Sequence, residues 1–166
     1  MNILITGGLG HIGSHFIDSI RKVKKIDKVY VIDNNSNNRI NSLFRFNKKK
    51  IKLIFEDLCN VNCFKKVNHK IDIVLHLASI TNAEASVKEK KRVYKNNFGA
   101  FKNIVNFSIK NKSKFIHISS TSVYGSQDKI IGEDCKELKP QSPYADVKLL
   151  EEKYLKKTKN IFYVSL

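Results

Sequence analysis

Six short runs of apolar and β-branched residues, each separated from the next by a longer segment, constrain the fold of this chain more than any other feature. The runs cover residues 2–6, 28–32, 51–55, 71–76, 114–119 and 161–166. They are near-continuously apolar rather than alternating, as strands buried on both faces of a parallel sheet are. Between them, residues 12–23, 61–68, 84–110 (a long pair) and 143–157 carry helical spacing. Strand alternating with helix predicts right-handed βαβ units and a doubly wound parallel α/β sheet with helices on both faces.

Composition narrows the function classes. A chain of 166 residues suits one domain with a real core. No apolar stretch approaches the roughly 20 residues that cross a bilayer. The N-terminus opens on a strand pattern rather than a cleavable leader, so the expectation is a cytoplasmic protein that needs no membrane. The net charge of +16, from 31 Lys and Arg against 15 Asp and Glu, raises nucleic-acid binding as an alternative. Yet Lys far outnumbers Arg, the residue favoured for base readout and bidentate phosphate contacts. The basic runs, Lys48 to Lys50 and Lys88 to Arg92, lie where solvated turns and helix faces belong. No nucleic-acid partner is expected. Cys59, Cys63 and Cys135 cannot all pair and read as reduced thiols. The four-residue spacing of Cys59 and Cys63 has no second Cys pair or His behind it, so no metal site is expected.

Chemistry concentrates at three places. Residues 6–13, TGGLGHIG, join the first strand to the first helix. Glycine there allows a tight turn and close approach of a pyrophosphate to free N–H groups at a helix N-terminus. Asp33 ends the second strand, 20 residues beyond Gly13. A carboxylate there accepts from an adenosine ribose and repels a 2′-phosphate, favouring NAD over NADP; a turn before Asn34 and Asn35 would use the same residue. Asp57, after the third strand, suits the adenine amino group, or equally a turn or helix cap. His76-Leu77-Ala78-Ser79 ends the fourth strand with small residues that would let a cofactor lie against the sheet, and His76 itself reads as structural.

The third place is Ser142-Pro143-Tyr144-Ala145-Asp146-Val147-Lys148, where Ser142 and Pro143 suit an N-cap and first helical residue. Tyr144 and Lys148 stand at i and i+4, on one helix face. A free tyrosine, with pKa about 10, is a poor base at neutral pH. A neighbouring ammonium stabilises a phenolate, which is the tuning that a general base needs. The fifth strand ends in Ser119-Ser120-Thr121-Ser122-Val123-Tyr124-Gly125, hydroxyls at the carboxyl edge of the sheet. One of them can bond the oxygen that Tyr144 deprotonates. Capping the loop is their other use, more so for the other three than for Ser120.

These motifs, TGGLGHIGSH, Asp33-Asn34, HLAS, SSTSVYG and PQSPYADVK, stand in the order found in the extended short-chain dehydrogenase/reductase family. Within it the chain resembles NAD-dependent nucleotide-sugar epimerases and dehydratases, most of all the UDP-glucose 4-epimerase type. The resemblance implies a Rossmann-like fold and NAD as a bound prosthetic group. Tyr144 would be the base, Lys148 would tune it and hold the nicotinamide ribose, and Ser120 would bind the reacting hydroxyl. For the cofactor it implies Gly7, Gly10, His11, Ile12 and Gly13, then Asp33, Asn34, Asp57 and Leu58, then Leu77, Ala78, Ser79 and Asn96. The implied reaction oxidises a hydroxyl of a UDP- or dTDP-linked sugar to a ketone and returns hydride to the opposite face. A homodimer through the helices of residues 84–110 and 143–157 is implied too.

Departures refine this picture. Thr121-Ser122 stands where related dehydratases carry an acidic pair, which disfavours elimination of water. Thr81 stands where a Lys often follows in the 4-epimerase pattern, leaving another epimerase or a keto-sugar reductase open. A non-catalytic NAD-binding module is a further alternative. Members of the family run to about twice this length. The expectation is therefore a dinucleotide domain over residues 1–166, truncated inside its sixth strand before a substrate domain, with little turnover of its own. An open sheet edge and unburied apolar surface predict poor solubility.

Overall fold

A computed structural model describes residues 1–20, 22–39, 49–128 and 130–166. Six strands, β1 (Asn2–Thr6), β2 (Lys28–Asp33), β3 (Ile51–Phe55), β4 (Ile73–His76), β5 (Lys114–His117) and β6 (Phe162–Ser165), form one sheet in the order β3-β2-β1-β4-β5-β6. Every pairing is parallel, with Ile5 of β1 set between Val31 of β2 and Leu75 of β4. This is the strand order of a doubly wound dinucleotide-binding sheet. The order reverses between β1 and β4, where a crevice opens at the carboxyl ends.

Among the described residues, five α-helices lie between the strands: α1 (His11–Ile20), α2 (Ala83–Lys88), α3 (Lys90–Val93), α4 (Gly99–Asn111) and α5 (Pro143–Lys157). Successive side chains of a strand face opposite sides, and both sides are apolar here. Ile3, Ile5, Val29, Val31 and Leu75 pack with Ile17 of α1. Leu4, Tyr30, Ile32, Val74 and Phe115 pack with Phe101, Ile104 and Val105 of α4 and Leu155 of α5. Fully burying one side chain of this kind contributes about 1.5–3 kcal/mol. α5 starts as its sequence predicts: Pro143 is in the first turn and Ser142 Oγ accepts the Ala145 N–H at 3.2 Å.

Several boundaries differ from expectation. Residues 61–68 form a 3-10 helix over Val61–Lys66 rather than an α-helix, capped by Asn60, whose side chain accepts from the Asn62 N–H. The long pair of residues 84–110 is broken into α2, α3, a π-helical turn at Tyr94–Phe98 and α4. The first helix starts at His11 and reaches Ile20; Arg21, inside the range expected for it, lies outside the described residues, as does Lys48 of the basic run. Lys88 to Arg92 are exposed on α2 and α3, as solvated helix faces. Cys63 is buried in the core, where burial pushes its thiol up to about 11, while Cys59 Sγ turns to the Lys95 and Asn96 carbonyls, each 3.8 Å away. No helix among the described residues is long and apolar enough to cross a membrane.

Edge strand β6 leaves Phe162 66% and Val164 47% exposed, and Leu166, the next residue after it, is 70% exposed. An apolar edge with unpaired backbone groups is a template for association. Residues 1–166 are expected to self-associate as concentration rises, and Val164→Lys to reduce this. Sedimentation velocity of the two chains checks it; identical profiles would exonerate the edge.

Candidate functional site

The crevice at the carboxyl ends of β1 and β4 is a lined cleft. Gly7, Leu9 and Gly10 of the glycine loop line it, with Asp33 to Asn37 and Arg39 from the end of β2 onward and Glu56, Asp57 and Leu58 after β3. Leu77 to Ile80, after β4, and Asn96, Asn97 and Ala100, from the π turn and the start of α4, complete the lining. Ten of the residues expected at a cofactor therefore meet there: Gly7, Gly10, Asp33, Asn34, Asp57, Leu58, Leu77, Ala78, Ser79 and Asn96. His11, Ile12 and Gly13 are not among the lining residues; they form the first turn of α1, with His11 and Ile12 exposed and Gly13 buried. A Cβ on Gly13 would meet Gly8 Cα at 2.6 Å and Gly7 O at 2.7 Å, so glycine lets the helix seat against the loop.

Asp33 performs the turn function and more. Its Oδ1 accepts the Asn35 N–H at 2.8 Å, and its Oδ2 accepts the Leu9 N–H at 2.9 Å, tying the end of β2 to the glycine loop. Asp57 likewise turns the chain, accepting from the Cys59 N–H at 2.8 Å, while still lining the cleft. Two observations bear on whether a dinucleotide fits. Ser79 Oγ is buried without a hydrogen-bond partner among the described residues, a cost that a bound polar group would remove. A Cβ on Gly10 would meet only Gly7 O, at 3.2 Å, so that side of the loop is bare for close backbone approach. The residues fit the group.

The helix asparagine expected near the site is Asn96, or by a shift of one position its neighbour Asn97. Asn97 is 2% exposed, its Oδ1 accepts the Ile80 N–H at 2.9 Å, and its Nδ2 donates to the Ile80 carbonyl at 3.0 Å. It clamps the segment after β4 to the π turn. Asn96 is half-buried and faces the cleft. Arg39 and Ser36 also line the cleft and were legible only as loop residues.

Beyond the cleft, on the β5 side, stands the Tyr-Lys helix. The Tyr144 N–H donates to Ser86 Oγ of α2 at 3.4 Å, and Tyr94 Oη donates to Asp146 Oδ2 at 3.2 Å. Two neighbouring elements thus hold the first turn of α5. The Lys148 side chain is 5% exposed; its ammonium donates to the Ile118 carbonyl and to Glu151 Oε2, both at 2.9 Å. Ser120 precedes a 3-10 turn at Thr121–Val123, which packs on α5. Contrary to expectation, it is Ser120 that caps this turn: its Oγ accepts the Ser122 N–H at 3.2 Å and shares a 2.7 Å hydrogen bond with Ser122 Oγ. An extended Ser120 backbone before a tight turn places its hydroxyl over the turn's free N–H. His76 is structural, as expected, with Nδ1 2.7 Å from Thr6 Oγ1 inside the sheet.

The profile of the "NAD dependent epimerase/dehydratase family" matches residues 3–166. The UDP-glucose 4-epimerase of Yersinia enterocolitica is 32% identical over 163 residues, covering 94% of this chain and 48% of that protein. Among solved structures, the UDP-N-acetylglucosamine 4-epimerase of Methanobrevibacter ruminantium M1, in complex with UDP-N-acetylmuramic acid, superposes with a TM-score of 0.87 at 34% identity, covering 99% of this chain and 53% of that one. The UDP-glucose 4-epimerase of Thermotoga maritima, with UDP-glucose, gives 0.86 at 29% identity, covering 99% and 54%. The chain thus spans about half the length of the relatives it matches. Glycine loop, strand order and Tyr-Lys helix agree with that match, and the chain belongs to the NAD dependent epimerase/dehydratase family.

Proposed function

We propose that residues 1–166 are the NAD-binding and acid–base part of a nucleotide-sugar epimerase acting on a UDP- or dTDP-linked sugar. The observation that carries this reading is the cleft at the strand-order reversal, with Asp33 in its wall and a Tyr-Lys helix beside it. Asp33 would accept from the adenosine ribose, and its charge would repel a 2′-phosphate. Asn34, Asp57 and Leu58 would border the adenine. Gly7, Gly10 and the N–H groups of His11, Ile12 and Gly13 would face the pyrophosphate at the N-terminus of α1. Leu77, Ala78, Ser79 and Asn96 would line the path toward the nicotinamide.

When bound, NAD supplies reversible oxidation of the sugar carbon. Tyr144 Oη takes the proton of the sugar hydroxyl and gives it back on reduction. Ser120 Oγ orients that hydroxyl, and Lys148 supplies the positive charge beside the base and a donor to the nicotinamide ribose. Thr121 and Ser122 offer no acid to expel water, so epimerisation is favoured over dehydration. The grip on the nucleotide-sugar is assigned to the part of the relatives that this chain does not span. The same reading puts the enzyme in the cytoplasm as a homodimer, formed through the helices of residues 84–110 (α2 to α4) and through α5.

Two experiments test this. NAD titrated into residues 1–166 is expected to bind at least about tenfold more tightly than NADP, and Asp33→Ala to erase the difference; absence of NAD binding would overturn the reading. Tyr144→Phe, made in a chain as long as the relatives, is expected to abolish epimerisation and keep NAD binding. Retained turnover would remove Tyr144 from its role.

A further inference from the structure

Lys148 does not stand alone in the core. Glu151, one helical turn further along α5, is 1% exposed and accepts from two donors at one oxygen, Lys148 Nζ at 2.9 Å and His117 Nε2 at 3.0 Å. His117, the last residue of β5, is 0% exposed. With its Nε2–H given to the carboxylate, its Nδ1 accepts from Ser165 Oγ of β6 at 2.8 Å. A continuous chain, Ser165–His117–Glu151–Lys148, buried from His117 onward, thus runs from the exposed edge strand to the helix that carries Tyr144. Burial alone would push the Glu151 carboxyl up; the His117 hydrogen bond and the Lys148 charge outweigh it and hold the group below its ordinary range.

Such a network is a poor way to gain stability, since well-packed apolar side chains of like volume do as well or better. It does fix geometry. An ammonium has three N–H donors, and Glu151 and the Ile118 carbonyl take two, from the helix and from the end of β5. The third is left with a single direction.

We propose that Glu151 is a positioning residue for Lys148. It anchors the ammonium so that the remaining N–H is preset for the cofactor ribose, and His117 fixes the Glu151 carboxylate in turn. This rests on the reading of Lys148 as a dinucleotide contact. No motif of the sequence carries it, because the partners His117 and Glu151 stand 34 residues apart.

A double-mutant cycle on residues 1–166 tests it, with NAD as the probe, calorimetric Kd as the readout and a thermal melt of each chain. Lys148→Met is expected to weaken NAD binding by about tenfold or more, as loss of a charged hydrogen bond does. Glu151→Gln, which keeps the shape and removes the charge, is expected to weaken it by about tenfold alone and by less than about twofold in the Lys148→Met background. His117→Phe, which keeps the ring packing on Phe101, should follow the same pattern with a smaller effect, and it carries the cycle if Glu151→Gln fails to fold. Equal losses in both backgrounds, or no loss in either, would overturn the inference while leaving the dinucleotide reading intact. A parent chain that binds NAD but is unaffected by Lys148→Met would overturn the Lys148 role and the inference with it. A parent chain that binds no NAD would overturn both this and the functional reading.

Discussion

Gly7→Ala is expected to destroy the cleft, and Gly10→Ala to spare the fold while blocking the ligand. Gly7 sits at φ 67°, in the left-handed region that L side chains rarely adopt. Its Cβ would lie 2.6 Å from Ala78 N and 2.7 Å from Ala78 Cα. Both are backbone atoms of the chain just beyond β4, held by the Thr6 hydroxyl, which accepts the Leu77 and Ala78 N–H groups at 3.2 and 3.3 Å. Nor can the loop retreat: the Gly7 N–H donates to the Ile32 carbonyl at 2.9 Å and its own carbonyl accepts from Gly10 at 3.1 Å. Left-handed strain of about 1–3 kcal/mol adds to an overpacking cost of about 1–3 kcal/mol. Against a total stability of about 5–15 kcal/mol, that is a large share. A fall in melting temperature of about 10 °C is expected, with NAD binding lost by at least about 100-fold. Gly10 differs because its Cβ meets only Gly7 O. The added methyl would enter the cleft, so melting is expected to hold within about 3 °C while NAD binding falls. Melting curves and NAD titrations of both chains decide it. Equal melting for the two variants would show that the loop is not wedged against β4.

The contrast shows what a sequence can carry. Strand positions were legible because parallel strands buried on both faces must be apolar throughout, and β1 and β3 fall at the ranges their runs mark. The glycine loop and the start of α5 were legible because local chemistry decides them: a tight turn for one, a Ser-Pro cap for the other. The π turn was not, since Tyr94, Asn96 and Asn97 fit an ordinary helical period, and only the buried bond of Asn97 to Ile80 shows why the helix widens there. Ser36, Asn37 and Arg39 join the cleft through the path of the chain after β2. Ser120 looked like the hydroxyl least needed for capping, because capping depends on the tight turn that follows it. Glu151 carries no signal in the sequence, because only the fold brings His117 of β5 against it.

His76 gives the second large effect, a stability that drains away in mild acid. Its ring packs between Phe101 and Phe115, with centroids 5.7 and 6.2 Å away. Thr6 Oγ1, which accepts from two backbone N–H groups, donates its own proton to Nδ1. That leaves the ring proton on Nε2, a buried atom with no partner among the described residues. Burial, the largest cause, pushes the imidazole down to about 3; the Glu151 charge pulls it up and the Lys148 charge pushes it down. An unfolded histidine titrates near pH 6.5. Between those two values the unfolded chain binds the extra proton, so stability rises with pH there. The contribution of neutral His76 is complete above about pH 6.5 and is lost as pH falls toward about 3. From pH 7 to pH 5 the loss is about 2 kcal/mol, with about 1.4 kcal/mol for each further unit. Glu151, held below its ordinary value, adds a second loss at lower pH, as its carboxylate is protonated. Urea unfolding of the parent chain and of His76→Leu at pH 7, 6 and 5 isolates the histidine. The parent is expected to lose about 2 kcal/mol more than the variant over that range. Parallel losses in the two chains would mean that His76 titrates in the folded chain as it does when unfolded, and that the acid sensitivity arises elsewhere; a smaller loss in the parent would mean that the folded state already holds it protonated.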